Sequence, residues 1–224
     1  VEFGCGGLLA KWAADGCTVH HLVCTDGSKG TWDADVDIAE LAARRQEEQR
    51  EAARRLAGEQ AGEVRFLGDV DGELDSTLDA RGAVALTIRQ LRPSVVLGHD
   101  PWKRYRLHPD HRAAGFLALD SLVAARDPHF FPEHRLSPHR PTTLLLFEAD
   151  EPDHLEIATD AWLDARCRAL EAYRSQWETT HLHRLDDPDG GLAAFRDRER
   201  DKLAAAARPF GHDLGEAFKL MSDL

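Results

Sequence analysis

Apolar positions along this chain switch repeatedly between a helical and an extended spacing. Behind a GCGG run, Leu8, Leu9, Trp12 and Ala13 share one helical face and Gly16 stands where a glycine stop belongs, which predicts a helix over about 5–15. Val19, Leu22, Val23 and Cys24 then run into Thr25, Asp26 and Gly27, the pattern of a mostly buried strand ending in a polar loop. Residues 37–57 are strong helix formers, with Ile38, Leu41, Ala42, Ala52, Ala53 and Leu56 at the apolar positions. EVRFLG reads as a short strand, DVDGELD as a turn, about 78–91 as a helix, and SVVLGHD, between Pro93 and Pro101, as another strand. Beyond it the spacing predicts a helix over about 109–125, a strand over about 142–148 and helices over about 160–176 and 192–208, with a polar, turn-rich stretch from His181 to Gly191.

Alternating helices and strands of this kind predict a single α/β domain, a Rossmann-like, mostly parallel sheet with helices on both faces. Ligands of such sheets bind beyond the carboxyl ends of the strands. Asp26, Asp71 and Asp100 all fall just past predicted strand ends.

Charge narrows the partners. Lys and Arg total 28 against 40 for Asp and Glu, a net charge of -12, so the long-range field repels nucleic-acid phosphates and anionic lipid and favours a neutral or cationic small molecule. No apolar run approaches the roughly 20 residues of a membrane span. Four cysteines without a CxxC pair read as reduced thiols, which points to the cytoplasm. Oligomeric state is open, a homo-oligomer included. The chain opens on VEFGCGG without an initiator Met, and that opening reads as the middle of an element, hence a fragment of a longer protein.

HDPWKRYRLHPDHR, residues 99–112, carries the densest chemistry. His108 and His111, spaced i, i+3 with Pro109 at the first helical position, present two imidazoles at one helix mouth. Neutral imidazole is a good zinc ligand, and Asp110 or Asp100 can fix a ring tautomer as acceptor. The plain alternative is a helix cap at His108 and an exposed helix residue at His111. Trp102, Lys103, Arg104, Tyr105 and Arg106 form a basic, aromatic loop before this motif, read as a substrate rim against the alternative of an ordinary surface loop.

The order of motifs resembles the PIG-L family of zinc-dependent N-deacetylases. Val1 to Gly7 are similar to the segment that follows the family's HPDD motif. Thr25, Asp26 and Gly27 match a TDG-like strand end, and Arg45, Glu48 and Ala52 an RxxExxxA helix. Phe66, Leu67, Asp71 and Gly72 match a strand with a DG pair, Arg92, Pro93 and Val96 an RPxxV strand, and His108 to His111 the HPDH helix start. Ser175 with Gln176, and the closing Gly215 to Phe218, resemble late family segments.

The resemblance implies Zn2+ as cofactor, His111 as a zinc ligand acting with the His and last Asp of an HPDD upstream of Val1, and one deacetylase domain over 1–224 that lacks its first strand. It implies His108 as proton donor or stabiliser of the tetrahedral intermediate, Asp110 as the residue orienting an imidazole, and Arg45 and Asp71 as binders of sugar hydroxyls. Some relatives carry Tyr where this chain has Arg106. The reaction implied is hydrolysis of an N-acetyl group on an N-acetylglucosamine-type conjugate. A non-catalytic small-molecule binder of the same fold is the alternative; a nucleotide-binding domain is weaker, because GCGG is not GxGxxG.

Overall fold

The computed structural model describes residues 1–181 and 188–224. The chain divides into two compact units, Val1–Asp71 with Leu155–Glu216, and Gly72–His154 with Ala217–Leu224.

In the first unit, α1 (Glu2–Ala14) precedes β1 (Val19–Thr25), α2 (Ile38–Ala57) and β2 (Ala61–Asp69). Asp37 caps α2 by accepting the backbone N–H groups of Ala39 and Glu40, satisfying donors that the first helical turn leaves open. β1 and β2 pair in parallel. α1 starts at Glu2 rather than near residue 5, and its dihedrals break at Cys5, with φ at -151°. That break exposes the N–H groups of Gly7 and Leu8, and both donate to the buried Glu216 carboxylate at 2.8 and 2.7 Å. Arg166 joins Glu216 to a second buried acid, Glu199, at 2.6 and 2.7 Å, so the charges are paired rather than stranded in the interior. α5 (Asp160–Leu170) and α6 (Pro188–Ala207) complete the unit, with Leu8, Ala52, Leu56, Leu170, Phe195 and Leu203 in its core. α5 ends six residues before the expected 176. Beyond it Tyr173 donates its hydroxyl to Glu2 at 2.9 Å and Ser175 donates to Glu48, contacts that turn the chain inward. The polar, turn-rich stretch expected from His181 to Gly191 falls mostly outside the described residues.

In the second unit, α3 (Leu78–Leu91) starts at a Thr77 cap and is followed by β3 (Val95–His99), α4 (Pro109–Arg126) and β4 (Thr143–Phe147). β3 and β4 are parallel, in a register that sets His99 opposite Phe147. β6 (Gly215–Ser222), which begins in the first unit, pairs antiparallel with β4 through its Phe218–Ser222 part. It and β5 (His154–Ile157) are strands the apolar pattern did not predict. Leu117, Leu122, Ala125, Leu144, Leu146 and Phe218 fill the core of this unit. Arg89, 4% exposed, donates to the carbonyls of Ala124, Ala125, Asp127, Phe130 and Phe131, which ties off the C-terminal end of α4. The fold is α/β with parallel strand pairs, as the alternation predicted.

Candidate active site

Both β3 and α4 deliver side chains to one place in the second unit. Pro109 occupies the first turn of α4, where its missing N–H costs nothing, and His108 precedes it as the cap residue. The His108 side chain makes no capping hydrogen bond, so its ring is available for other work. It stacks on His111 with ring centres 5.0 Å apart, and His111 stacks on His99 at 4.2 Å. Three imidazoles therefore form one column, from the end of β3 to the first turn of α4. The close approach of the two elements depends on Gly115: a Cβ there would lie 2.5 Å from the His99 carbonyl oxygen and 2.9 Å from the Pro101 nitrogen.

Arg106 enters this column from the loop before α4, with a side chain only 5% exposed. Its Nη1 donates to Glu148 Oε2 at 2.7 Å and lies 3.1 Å from His99 Nδ1 and 3.4 Å from His111 Nδ1. Nη1 carries two hydrogens, and whether a ring Nδ1 accepts one of them depends on that ring's tautomer. The Arg106 Nε is buried without a hydrogen-bond partner among the described residues. One ligand atom from each of His99, His111 and Glu148 lies within 4.8 Å of the other two, a spacing that suits a metal ion. Burial holds His99 below its ordinary pKa, and burial together with the neighbouring His99 ring pulls His111 down to about 4. Both rings are neutral at pH 7, with a lone pair on each. Hydrogen bonding from His99 and Arg106 holds Glu148 well below the usual carboxylate range.

The two acids considered as tautomer setters hold backbone instead. Asp110 accepts the N–H groups of Gly72 at 2.7 Å and Leu74 at 3.2 Å. Asp100 accepts those of Trp102 and Asp150, both at 2.9 Å, and so anchors the start of the 101–107 loop. An ion pair between Arg104 and Asp150 pins the same loop further along. Beyond these anchors Tyr105, at a φ of 59°, is fully exposed, and Leu107 is 96% exposed.

Arg45 and Asp71 lie in the first unit. Arg45 sits under the loop after β1, where Gly27 and Gly30 leave room for its guanidinium; a Cβ on Gly30 would meet Nη1 at 2.5 Å. That Nη1 is buried with no hydrogen-bond partner among the described residues, and burial pulls the pKa of Arg45 down. An unpaired buried donor is costly and therefore invites an acceptor. Asp71 donates its N–H to Asp26 Oδ1 at 3.0 Å and accepts the Lys29 N–H at 3.2 Å.

His99 and Glu148 were not singled out by sequence reasoning, and Arg106 was noted only as a rim residue. For His99 a signal existed: it closes a predicted strand within the same fourteen-residue segment as the HPDH motif. Glu148 gave none, since its place follows from the register of β4 against β3.

Residues 1–122, more than half of the chain, match the family described as PIG-L: GlcNAc-PI de-N-acetylase. The chain belongs to the PIG-L family. Among curated PIG-L relatives, a diacetylchitobiose deacetylase from Thermococcus kodakarensis is 35% identical over 177 residues, 78% of this chain and 65% of that enzyme. A 1D-myo-inositol 2-acetamido-2-deoxy-alpha-D-glucopyranoside deacetylase from Catenulispora acidiphila is 29% identical over 58% of this chain and 46% of its own length. This chain thus spans about half to two thirds of these relatives. Among solved structures, the N,N'-diacetylchitobiose deacetylase of Pyrococcus horikoshii, complexed with its inhibitor MPG, superposes with a TM-score of 0.86 at 28% identity. It covers 99% of this chain and 79% of that one.

Proposed function

We propose that this PIG-L chain is the body of a zinc-dependent N-deacetylase that hydrolyses the acetamide of an N-acetylglucosamine-type conjugate. The observation that carries the reading is the HPDH entry to α4, where His108 and His111 stack as neighbouring imidazoles, one on a helix cap free of capping duty. His111 fits a zinc ligand by its chemistry: burial keeps its ring neutral, and a neutral imidazole nitrogen is a good zinc donor. The other ligands in this reading come from an HPDD motif on a first strand upstream of Val1, within a single deacetylase domain. When bound, zinc supplies Lewis-acid polarisation of the amide carbonyl.

His108 protonates the departing amine as the C–N bond breaks, leaving acetate and a free amino sugar. Asp110, clamped to Gly72 and Leu74, keeps the first turn of α4 in place beneath both rings. Arg45, with its unpaired Nη1, and Asp71 bind sugar hydroxyls. The Trp102–Arg106 loop forms a substrate rim, and the cysteine pattern favours a cytoplasmic setting. The names of the relatives support a sugar substrate, and the net charge of -12 supports a neutral or cationic one.

The test is metal content together with amine release from N-acetylglucosamine conjugates, on a chain extended upstream through the expected strand. About one zinc per chain, lost in His111→Ala, and turnover lost in His108→Ala with zinc retained, is the expected result. A folded, metal-free and inactive protein would instead indicate a non-catalytic binder of small molecules.

A further inference from the structure

The His99, His111 and Glu148 donors surround a point at which the Arg106 guanidinium stands, and the fit is imperfect. One carboxylate oxygen and two imidazole nitrogens face Nη1 at 2.7, 3.1 and 3.4 Å, while that nitrogen has two hydrogens to give. Nε, on the same buried group, finds no acceptor among the described residues. A guanidinium in its best setting is matched by planar, bidentate partners. Here Nη2 reaches the Glu148 carbonyl oxygen at 3.3 Å, and Nη1 meets two imidazoles and one carboxylate, donors of the kind that bind a borderline divalent cation. The backbone around it is also under tension, since Tyr105, the residue before Arg106, holds a positive φ with its ring wholly in solvent.

We propose that His99, His111 and Glu148 form a divalent-cation site that shares only His111 with the ligand set of the proposed deacetylase, on which reading its regulatory consequence rests, and that Arg106 is its internal competitor. With Arg106 in place, the site holds an organic cation. When the segment carrying it lifts away, two nitrogens and one oxygen are left to a zinc- or cobalt-like ion. The site has a regulatory consequence for the proposed reaction. A neutral imidazole has one lone pair, so a cation bound here withdraws His111 from any other metal. Arg106 therefore guards the ring against misloading when divalent ions are in excess.

The experiment is titration of the 224-residue chain with Co2+, followed by its visible ligand-field absorption, so that no hydrolysis is read and the deacetylase reading can fail independently. Arg106→Met and Arg106→Gln are each expected to tighten Co2+ binding by about tenfold or more, whereas Arg106→Lys, which keeps a cation in place, stays near the unsubstituted chain. Adding His99→Ala or Glu148→Gln to Arg106→Met should abolish the gain. No tightening in either neutral variant, or a gain that survives both second substitutions, overturns the proposal. The unsubstituted chain supplies a check that does not depend on how the arginine variants fold: its weaker Co2+ binding should be lost in His99→Ala and Glu148→Gln, and persistence in both overturns the proposal as well.

Discussion

Asp110 Oδ2 accepts the backbone N–H of Gly72 at 2.7 Å, so the acid of the HPDH motif fastens the first turn of α4 to the loop that leads into α3. Its other oxygen takes the N–H of Leu74 at 3.2 Å. Asp110→Asn replaces one acceptor with an amide that must face a donor. Because the carboxylate is buried, the expected loss is about 1.5–3 kcal/mol, the range for hydrogen bonds to a charged group. Urea unfolding of the two proteins measures it, and a loss below about 0.5 kcal/mol would contradict the clamp.

Gly115 sets the distance between α4 and the end of β3. A methyl group there meets backbone rather than a yielding side chain, so Gly115→Ala forces the elements apart. The expected cost is about 1–3 kcal/mol, as for overpacking elsewhere. The same shift should separate His99 from His111. Loss of the ring stacking is readable as an altered pair of imidazole resonances by NMR.

Arg89 is an interior cation neutralised by carbonyl dipoles instead of a carboxylate. Arg89→Met leaves five carbonyl oxygens at the end of α4 without this donor, and a loss of about 3 kcal/mol or more is expected from several charged hydrogen bonds removed together. A thermal melt reads the loss. Arg89→Lys should recover only part of it, because an ammonium has three donors and no fork.

Asp26 gives the pH dependence a sign. Burial pushes its carboxyl upward, but hydrogen bonds from the Ser28 side chain and backbone and from the Asp71 N–H outweigh that and hold it below the ordinary aspartate value. A depressed folded pKa adds stability that is complete above the unfolded pKa and disappears as pH falls through the folded one. Urea midpoints should therefore fall for the natural protein between about pH 5 and 3 more steeply than for Asp26→Asn. Equal slopes would show that the Ser28 and Asp71 contacts do not favour the charged form.

Much of the architecture is legible in the sequence, because the elements around the site carry their own start signals. Asp37, Thr77 and Pro109 each stand at the head of a strongly helical run, and the structure begins α2, α3 and α4 at those points. β6 was hidden by its composition. Glu216 is buried and Lys219 exposed, yet neither placement follows from local hydrophobicity, since the first depends on Arg166 and the second on Asp153. The site divides in the same way. The HPDH motif announces His108 and His111 because spacing along one helix is a local property. Glu148 reaches His99 only through the pairing of β3 with β4, and Arg106 reaches both only through the path of its loop, relations that no window of the sequence contains.

The bonds from Gly7 and Leu8 to Glu216 join residues more than two hundred positions apart. On a ribosome, the GCGG turn emerges about two hundred residues ahead of its acceptor. Until residue 216 is made, Arg166 has only Glu199 as its acid partner, and the amides of Gly7 and Leu8 lack their carboxylate. The first unit is therefore completed only once residue 216 has been made, and the amides of the GCGG turn wait for an acceptor that is far from them in sequence.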